Sequence, residues 1–437
     1  MTHPYPSRST PRLPPVSLAW FTWGLLASLY FVGFFQRVAP AVMVDELMRD
    51  FSIAATMLGN LSAIYFYAYA LMQIPSGLLA DAVGPRRVAT AAAAAAVAGT
   101  VLFSQSDTLW MASLGRGLIG ASVAVAFVAC MKLAGHWFPA NRFATVTGVS
   151  LLIGNLGGVL AGVPLSEAVA SFGWRSAMLA SAGVTLLLAV AVWLWVRDDP
   201  SDRGYASHAH REALNNGAMS PRRSLKLVVS ERETWLLFFA GGLVAAPVLT
   251  FAGLWGVPYL MQVHGLERSH AAVFTTTMLL GFAVGGPLLG ALSDRMGRRK
   301  RPYLCAALVN AVCWGVFLYV DALPTNALYL LFAGIGFSAG GFIIGYAFAR
   351  EANHPGAAGT VGGVVNMAVL GFAAIQQSAI GWILDRNWQG AMLDGARIYD
   401  AAAYHAAFVW LLVSAVGAVL VLALTRETYC RLRFDTA

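Results

Sequence analysis

The sequence predicts an all-α integral membrane protein: twelve transmembrane helices arranged as two six-helix halves. Three observations carry that prediction. The chain is very apolar, with a mean hydropathy of +0.65 and only 11% charged residues, where a soluble globular domain carries roughly 25%. Lipid must therefore solvate much of its surface. A spanning helix needs roughly 20 mostly apolar residues, and twelve such runs can be placed, at approximately 16–44, 51–75, 88–106, 109–135, 143–166, 176–196, 234–262, 271–292, 302–320, 327–349, 359–384 and 403–425. Finally, one short motif is written twice. Gly77-Leu78-Leu79-Ala80-Asp81-Ala82-Val83-Gly84-Pro85-Arg86-Arg87 returns as Gly290-Ala291-Leu292-Ser293-Asp294-Arg295-Met296-Gly297-Arg298-Arg299-Lys300, with Asp81 and Asp294 213 positions apart. A repeat of about half the chain in so apolar a sequence is how a two-halved membrane carrier is written.

The runs are expected to be helices. Only helices and closed barrels satisfy backbone polar groups in lipid, and the short alternating segments of barrel strands are absent. The boundaries that follow are a tail at 1–15, a first half at 16–197, a linker at 198–232, a second half at 233–425 and a tail at 426–437. Residues 2–15 are polar and Pro-rich, and the first apolar run is too long for a signal peptide. The linker reads as disordered. His208 and His210 beside Asp198 and Asp202 have no metal-ligand spacing, so no metal and no cofactor is expected. Cys130, Cys305, Cys313 and Cys430 show no disulfide framework and suit helix packing better.

The formal net charge of +8 does not indicate nucleic acid, because its distribution is that of membrane topology. With both termini placed inside, 21 Lys and Arg fall on internal segments and five (Arg49, Arg175, Arg268, Arg386 and Arg397) on external loops. This is the positive-inside signature. It places the chain as a multi-pass protein of a bacterial inner membrane with both termini cytoplasmic, and the remaining basic excess adds some attraction to anionic lipid.

The repeat extends beyond the first motif. Thr145-Val146-Thr147-Gly148 opens the fifth run and Thr360-Val361-Gly362-Gly363 opens the eleventh, 215 positions later. The fourth run ends Lys132…His136…Pro139, and the tenth ends Arg350…His354-Pro355.

These residues resemble the major facilitator superfamily over nearly the whole chain. The pattern G-x-L-a-D-r-x-G-r-(k/r) between runs 2 and 3, echoed between runs 8 and 9, is that family's most specific marker. Leu114-Gly115-Arg116-Gly117-Leu118-Ile119-Gly120 looks like its fourth-helix motif, and Gly173-Trp174-Arg175 is similar to the G-W-R before its sixth helix. The resemblance implies a central cavity lined mainly by helices 1, 4, 7 and 10 and transport by alternating access. In proton-coupled relatives the Arg at the position of Arg116 takes part in coupling, which makes Arg116 a coupling candidate.

The doubled motif suits a gate. Gly77 and Gly290 would let neighbouring helices approach, and Gly84 and Gly297 would permit a tight turn. Asp81 and Asp294 lie near the inner surface beside Arg86, Arg87, Arg298 and Arg299. Pairing across these loops could lock one side and break when the halves rock; the plain alternative is a solvated turn.

Arg37 is the sharpest indication of cargo. It is the one charge in the run from Val16 to Val44, eight residues before Asp45, or roughly 12 Å along a helix. An intramembrane Arg usually faces a cavity or a partner, and a guanidinium can grip carboxylate, phosphate or sulfonate with two parallel hydrogen bonds. Snorkelling or pairing with a helix end is the bland alternative. Phe35-Gln36-Arg37-Val38-Ala39-Pro40 also resembles the first-helix Arg region of the organic-anion and organophosphate branches. Organophosphate exchangers carry a second Arg in helix 7, which this chain lacks, so a carboxylate or sulfonate fits better.

Other candidate binding residues are Tyr65 and Tyr69, four apart on one face of run 2; Lys132, four before His136; Trp255 and Tyr259, sharing a face of run 7; and Tyr346 and Asn366. Amides such as Asn366, Gln376 and Gln377 serve equally well to join helices. No Asp or Glu lies midway through any run, so a proton would have to use Glu167, Glu351, His136 or His354, or the carrier exchanges anions. The sequence thus predicts a monomeric carrier of a small organic anion, an importer, with a proton or counter-anion as coupling partner. The alternatives are a dipeptide carrier, as in the dipeptide-carrier-like branch, and a proton-coupled drug or metabolite antiporter. No nucleophile–base pair, H-E-x-x-H or phosphate loop is present, so no enzyme is expected.

Overall fold

The computed structural model describes residues 12–208, 221–320 and 323–432, and within the helices it leaves the side chains of Asp81 and a few other residues undescribed. The chain forms helices α1 (Val16–Val38), α2 (Val44–Asp50), α3 (Ala55–Val83), α4 (Pro85–Ser104), α5 (Leu109–Trp137), α6 (Ala140–Leu160), α7 (Val163–Phe172) and α8 (Trp174–Trp195). After the linker helix α9 (Pro221–Ser230) come α10 (Arg232–Thr250), α11 (Gly256–His264), α12 (Arg268–Met296), α13 (Lys300–Tyr319), α14 (Thr325–Ala339), α15 (Phe342–Ala352), α16 (Ala358–Arg386) and α17 (Ala401–Ala423). Strands β1 (Met392–Leu393) and β2 (Ala396–Arg397) form an antiparallel hairpin between α16 and α17, a small departure from an all-helical chain.

Eleven helical segments among the described residues are long and apolar enough to span a membrane. The twelfth is the pair α2–α3, bent by 112°. Three spans are interrupted. In the seventh, Pro247 removes an N–H and frees the carbonyl four residues earlier, and the Ser414 hydroxyl donates to that carbonyl, Leu243 O, at 3.1 Å. A π-helical turn follows at Phe251–Trp255. The fifth span breaks between α6 and α7 and the tenth between α14 and α15.

The repeat is a repeat of packing. α1 packs on α6 as α10 packs on α16; α3 on α5 as α12 on α14; α4 on α8 as α13 on α17. The contacts between halves repeat as well, α3 against α16 and α12 against α6 and α7. The close approaches lie at Gly120, where an added Cβ would collide with the Tyr65 carbonyl, and at Gly336, where it would meet that of Met278. They do not lie at the expected Gly77, which faces open space, or at Gly290, which makes only an ordinary 3.5 Å contact with Ile343. Gly84 and Gly297 do adopt positive φ, 93° and 59°, as the tight turn requires.

Both terminal segments lie at the linker end of the bundle. Ala206 N–H donates to Arg12 O, and Arg426 N–H donates to Glu233 Oε2 at 3.2 Å. The first part of the linker is folded, contrary to expectation. Asp199 caps a 3-10 turn at Pro200–Arg203 and accepts from Ser207 Oγ (2.7 Å) and pairs with His136 Nδ1 (2.9 Å). Burial raises the Asp199 carboxyl, but bonds from Ser201, Ser207 and His136 outweigh it and hold the group down at about 2. His210 of the weighed metal pair lies outside the described residues.

Candidate functional site

Arg37 does not sit in an uninterrupted helix, as its spacing to Asp45 suggested. α1 ends at Val38 and a 3-10 turn with Pro40 at its start carries the chain on, because Pro cannot extend the α-helical ladder. The side chain is turned inward and is 6% exposed. Its guanidinium carbon lies 4.0 Å from the centroid of the Phe34 ring, 5.3 Å from Tyr69, 5.9 Å from Tyr65 and 6.0 Å from Phe66. Among the described residues it forms no ion pair with a carboxylate, and its Nε is buried without a hydrogen-bond partner.

Magnitudes separate two readings of this box. Holding an Arg at the centre of a bilayer costs about 2.5–3.5 kcal/mol or more. A helix C-terminus returns about 0.3–1 kcal/mol, and a desolvated cation–π contact about 2 kcal/mol. The aromatic faces can therefore keep the cation in place. They do not saturate its five N–H donors, and a buried donor without a partner costs a further 1–3 kcal/mol or so. The charge is housed by aromatic faces with the hydroxyls of Tyr65 and Tyr69 as its polar neighbours, while Nε stays without a partner and no carboxylate neutralises it among the described residues.

Tyr65 and Tyr69 join Arg37 as expected, whereas Tyr67 is exposed at 42% on the opposite face of α3. The Tyr65 hydroxyl donates to Gly33 O at 3.0 Å, which fixes its ring. Tyr346 of α15, in the other half, lies in electrostatic range of Arg37 and of Tyr69, and its hydroxyl donates to Asn366 Oδ1 of α16 at 2.8 Å. Residues from both halves thus come together around Arg37.

The remaining candidates lie elsewhere. The Trp255 indole N–H donates to Gln377 O at 3.1 Å, fastening the seventh span to α16. Tyr259 contacts His264 and the rings of Phe251, Phe317, Tyr404 and Phe408. Lys132 Nζ donates to Ala80 O at 2.6 Å, and His136 turns to Asp199. Gln376 accepts from Thr250 and donates to Ser414 Oγ, joining helices. Arg116 is fully buried, and its Nη1 donates to Gln36 O at 2.7 Å.

At the linker end the doubled motif is bonded within each half. Arg86 donates to Trp193 O through Nε (3.0 Å) and Nη2 (2.6 Å), and its backbone N–H donates to Asp198 Oδ1. Arg299 pairs with Asp294 (2.5 Å) and Glu351 (2.8 Å). Glu427 accepts from the backbone of Arg299 and Lys300, and Thr428 Oγ1 donates to Glu351. Arg87 is exposed and Arg298 half-buried. The Asp81 side chain lies outside the described positions.

A clasp at the far end was missed by sequence reasoning. The Asp385 carboxylate of α16 accepts from Ala55 N (3.1 Å), Thr56 N (2.7 Å) and Thr56 Oγ1 (2.5 Å) at the start of α3, in the other half. It also accepts from Tyr399 (2.7 Å) and Arg397 (3.3 Å). The α3 N-cap, Ala54, supplies no side-chain bond of its own, so the opposite half satisfies the orphan N–H groups of that helix. Arg268 pairs with Glu46 across the same end at 2.6 Å. The sequence signals available were a helix start without a capping residue and an acid at the end of a span.

Comparison with known proteins places the chain. A probable sulfoacetate transporter of Cupriavidus necator is 24% identical over 63% of this chain and 65% of that protein. The hexuronate transporter of Escherichia coli (strain K12) is 24% identical over 62% of this chain and 64% of that one. The chain thus matches slightly less than two thirds of either relative's length. In fold it is similar to a bacterial homolog of the human lysosomal transporter Spinster, crystallised in an inward-facing, occupied conformation, with a TM-score of 0.74, 17% identity and coverage of 94% and 97%. The family model of the Major Facilitator Superfamily matches residues 26–376. With up to twelve candidate spans among the described residues, a doubled loop motif and this match over most of its length, the chain belongs to the Major Facilitator Superfamily and is a multi-pass membrane transporter.

Proposed function

We propose that this protein moves a small organic anion, a carboxylate or sulfonate, across the bacterial inner membrane by alternating access. The observation that carries the reading is the buried Arg37 guanidinium, held by aromatic faces and unmatched by a carboxylate among the described residues. An anionic group pairs with the Arg37 guanidinium, which no carboxylate neutralises among the described residues. Tyr69 and Tyr65 border it from the first half, and Tyr346 and Asn366 offer polar groups from the second. Cargo touching both halves gives each state of the carrier a different set of contacts, which alternating access requires. The cargoes named for the two relatives, sulfoacetate and hexuronate, are both small organic acids and support the class.

The far-end clasp is one gate, shut in this conformation. The arginine loops at the linker end belong to the other; there, among the described residues, Arg86 and Arg299 bond inside their own halves. Lysine and arginine counts orient the linker end and both termini to the cytoplasm. Sulfoacetate and galacturonate uptake into proteoliposomes tests the function. The wild type should accumulate label from at least one, and Arg37→Gln should lose it about 100-fold while its melting temperature stays within about 3 °C. Full transport by Arg37→Gln would contradict the proposal.

A further inference from the structure

We propose that Arg116 sets the charge of the cargo: the site is built for a doubly negative anion, one group gripped by Arg37 and the other balanced by the field of Arg116. The inference rests on Arg37 as the anion receptor and concerns how many charges that anion carries. Arg116 of α5 is 0% exposed. One of its nitrogens, Nη1, donates to the Gln36 carbonyl, the residue before Arg37. Nε and Nη2 are buried without a hydrogen-bond partner.

Tyr65 stands between the two cations. Its ring centroid lies 4.9 Å from the Arg116 guanidinium carbon and 5.9 Å from that of Arg37. The two carbons are therefore no more than about 11 Å apart, the sum of those distances. Neither cation has a carboxylate in ion-pair range among the described residues, and the sequence has no Asp or Glu in 16–44, 51–75, 88–106 or 109–135. These four runs thus hold three positive charges, Arg37, Arg116 and, toward the linker end, Lys132, and no negative one.

A purely structural role accounts for one hydrogen bond and for the contacts of the guanidinium with the Tyr65 ring and, at 5.9 Å, the Phe103 ring. Fastening α5 to α1 through the Gln36 carbonyl needs a single donor, which a neutral amide would supply at less desolvation cost. The remaining full charge acts at a distance. Away from water, charges are weakly screened and their potentials add, so a ligand at Arg37 feels both. Tyr65, pinned through Gly33, keeps the second cation out of contact and makes Arg116 a specificity-determining residue that reads charge rather than shape. Of the two relatives' cargo types, the doubly charged sulfoacetate fits and the singly charged hexuronate fits less well.

Matched pairs test this on the purified full chain. Sulfoacetate (two charges) is compared with 2-hydroxyethanesulfonate (one), and succinate with 4-hydroxybutyrate, by ligand-dependent thermal stabilisation at constant ionic strength. The wild type should bind the doubly charged member of a pair at least about tenfold more tightly. Arg116→Gln should bring the ratio close to one by weakening the doubly charged member more than the singly charged one, and Arg116→Lys should keep it. Should Arg116→Gln fail to fold, the wild-type ratio and Arg116→Lys still decide. Equal affinities in the wild type, or a ratio unchanged in a folded Arg116→Gln, would overturn the inference and leave the organic-anion reading standing. Tight binding of the singly charged members that depends on Arg37 would do the same. No binding of any of the four would overturn both.

Discussion

Arg37 and Arg299 are buried to nearly the same degree, 6% and 8% exposed, and their surroundings are opposite. Arg299 meets Asp294 and Glu351, with Ser293 Oγ as a further acceptor. Arg37 meets four aromatic faces. A guanidinium whose donors are spent on carboxylates is a structural rivet, since little is left for a ligand to bind. One that is housed by π-faces keeps its donors available. Burial alone does not distinguish the two; the partner list does.

The contrast can be broken or sharpened at several places. Glu351→Gln leaves Arg299 with Asp294 as its one carboxylate partner, and losing a buried charged hydrogen bond costs about 1–3 kcal/mol. A chemical-unfolding series should show that loss while anion affinity changes less than about twofold. A large change in affinity with stability intact would make Arg299 part of the binding site. Asp385→Ala removes the acceptor for three donors at the start of α3. The loss of a cap with a buried clasp is worth about 2 kcal/mol and should favour the state open at the far end. A cysteine introduced at Thr56 in an otherwise cysteine-free chain would then react faster with a membrane-impermeant maleimide, and an unchanged rate would show that the clasp does not hold the gate.

The smallest effect belongs to the linker. The Asp199 carboxyl is depressed to about 2 in the folded protein, against about 3.9 unfolded. Its contribution is fully present above about pH 4 and is lost as pH falls toward 2. At neutral pH, Asp199→Asn should expose residues 198–208 to limited proteolysis and leave transport within about twofold. Equal cleavage of both proteins would mean that Asp199 does not anchor the segment.

The sequence made the scaffold legible because its signals are local and doubled: apolar runs, a motif repeated at 213 positions, and an Arg with no charge near it in the chain. It made half of the site legible too. Arg37, Tyr65 and Tyr69 meet because their helices pack, and Tyr346 and Asn366 meet across α15 and α16. Trp255 is tied to α16, and Tyr259 to the rings of Tyr404 and Phe408, partners distant along the chain that 3.6-residue spacing does not announce. The clasp was hidden because its donors are backbone N–H groups 329 and 330 positions from Asp385, which no residue type announces. The reach of α1 was overstated because Pro40 stops the ladder two residues after Val38.

The central claim is that Arg37 is unpaired so that an anion can pair with it. Sulfoacetate binding by the wild type, Arg37→Lys and Arg37→Gln, followed as ligand-induced thermal stabilisation with Glu351→Gln as the reference, tests it most directly. The account predicts a clear shift in the wild type and in Glu351→Gln, a reduced shift in Arg37→Lys, which keeps the charge but loses the fork, and none in a folded Arg37→Gln. A wild-type shift that persists undiminished in Arg37→Gln would contradict it.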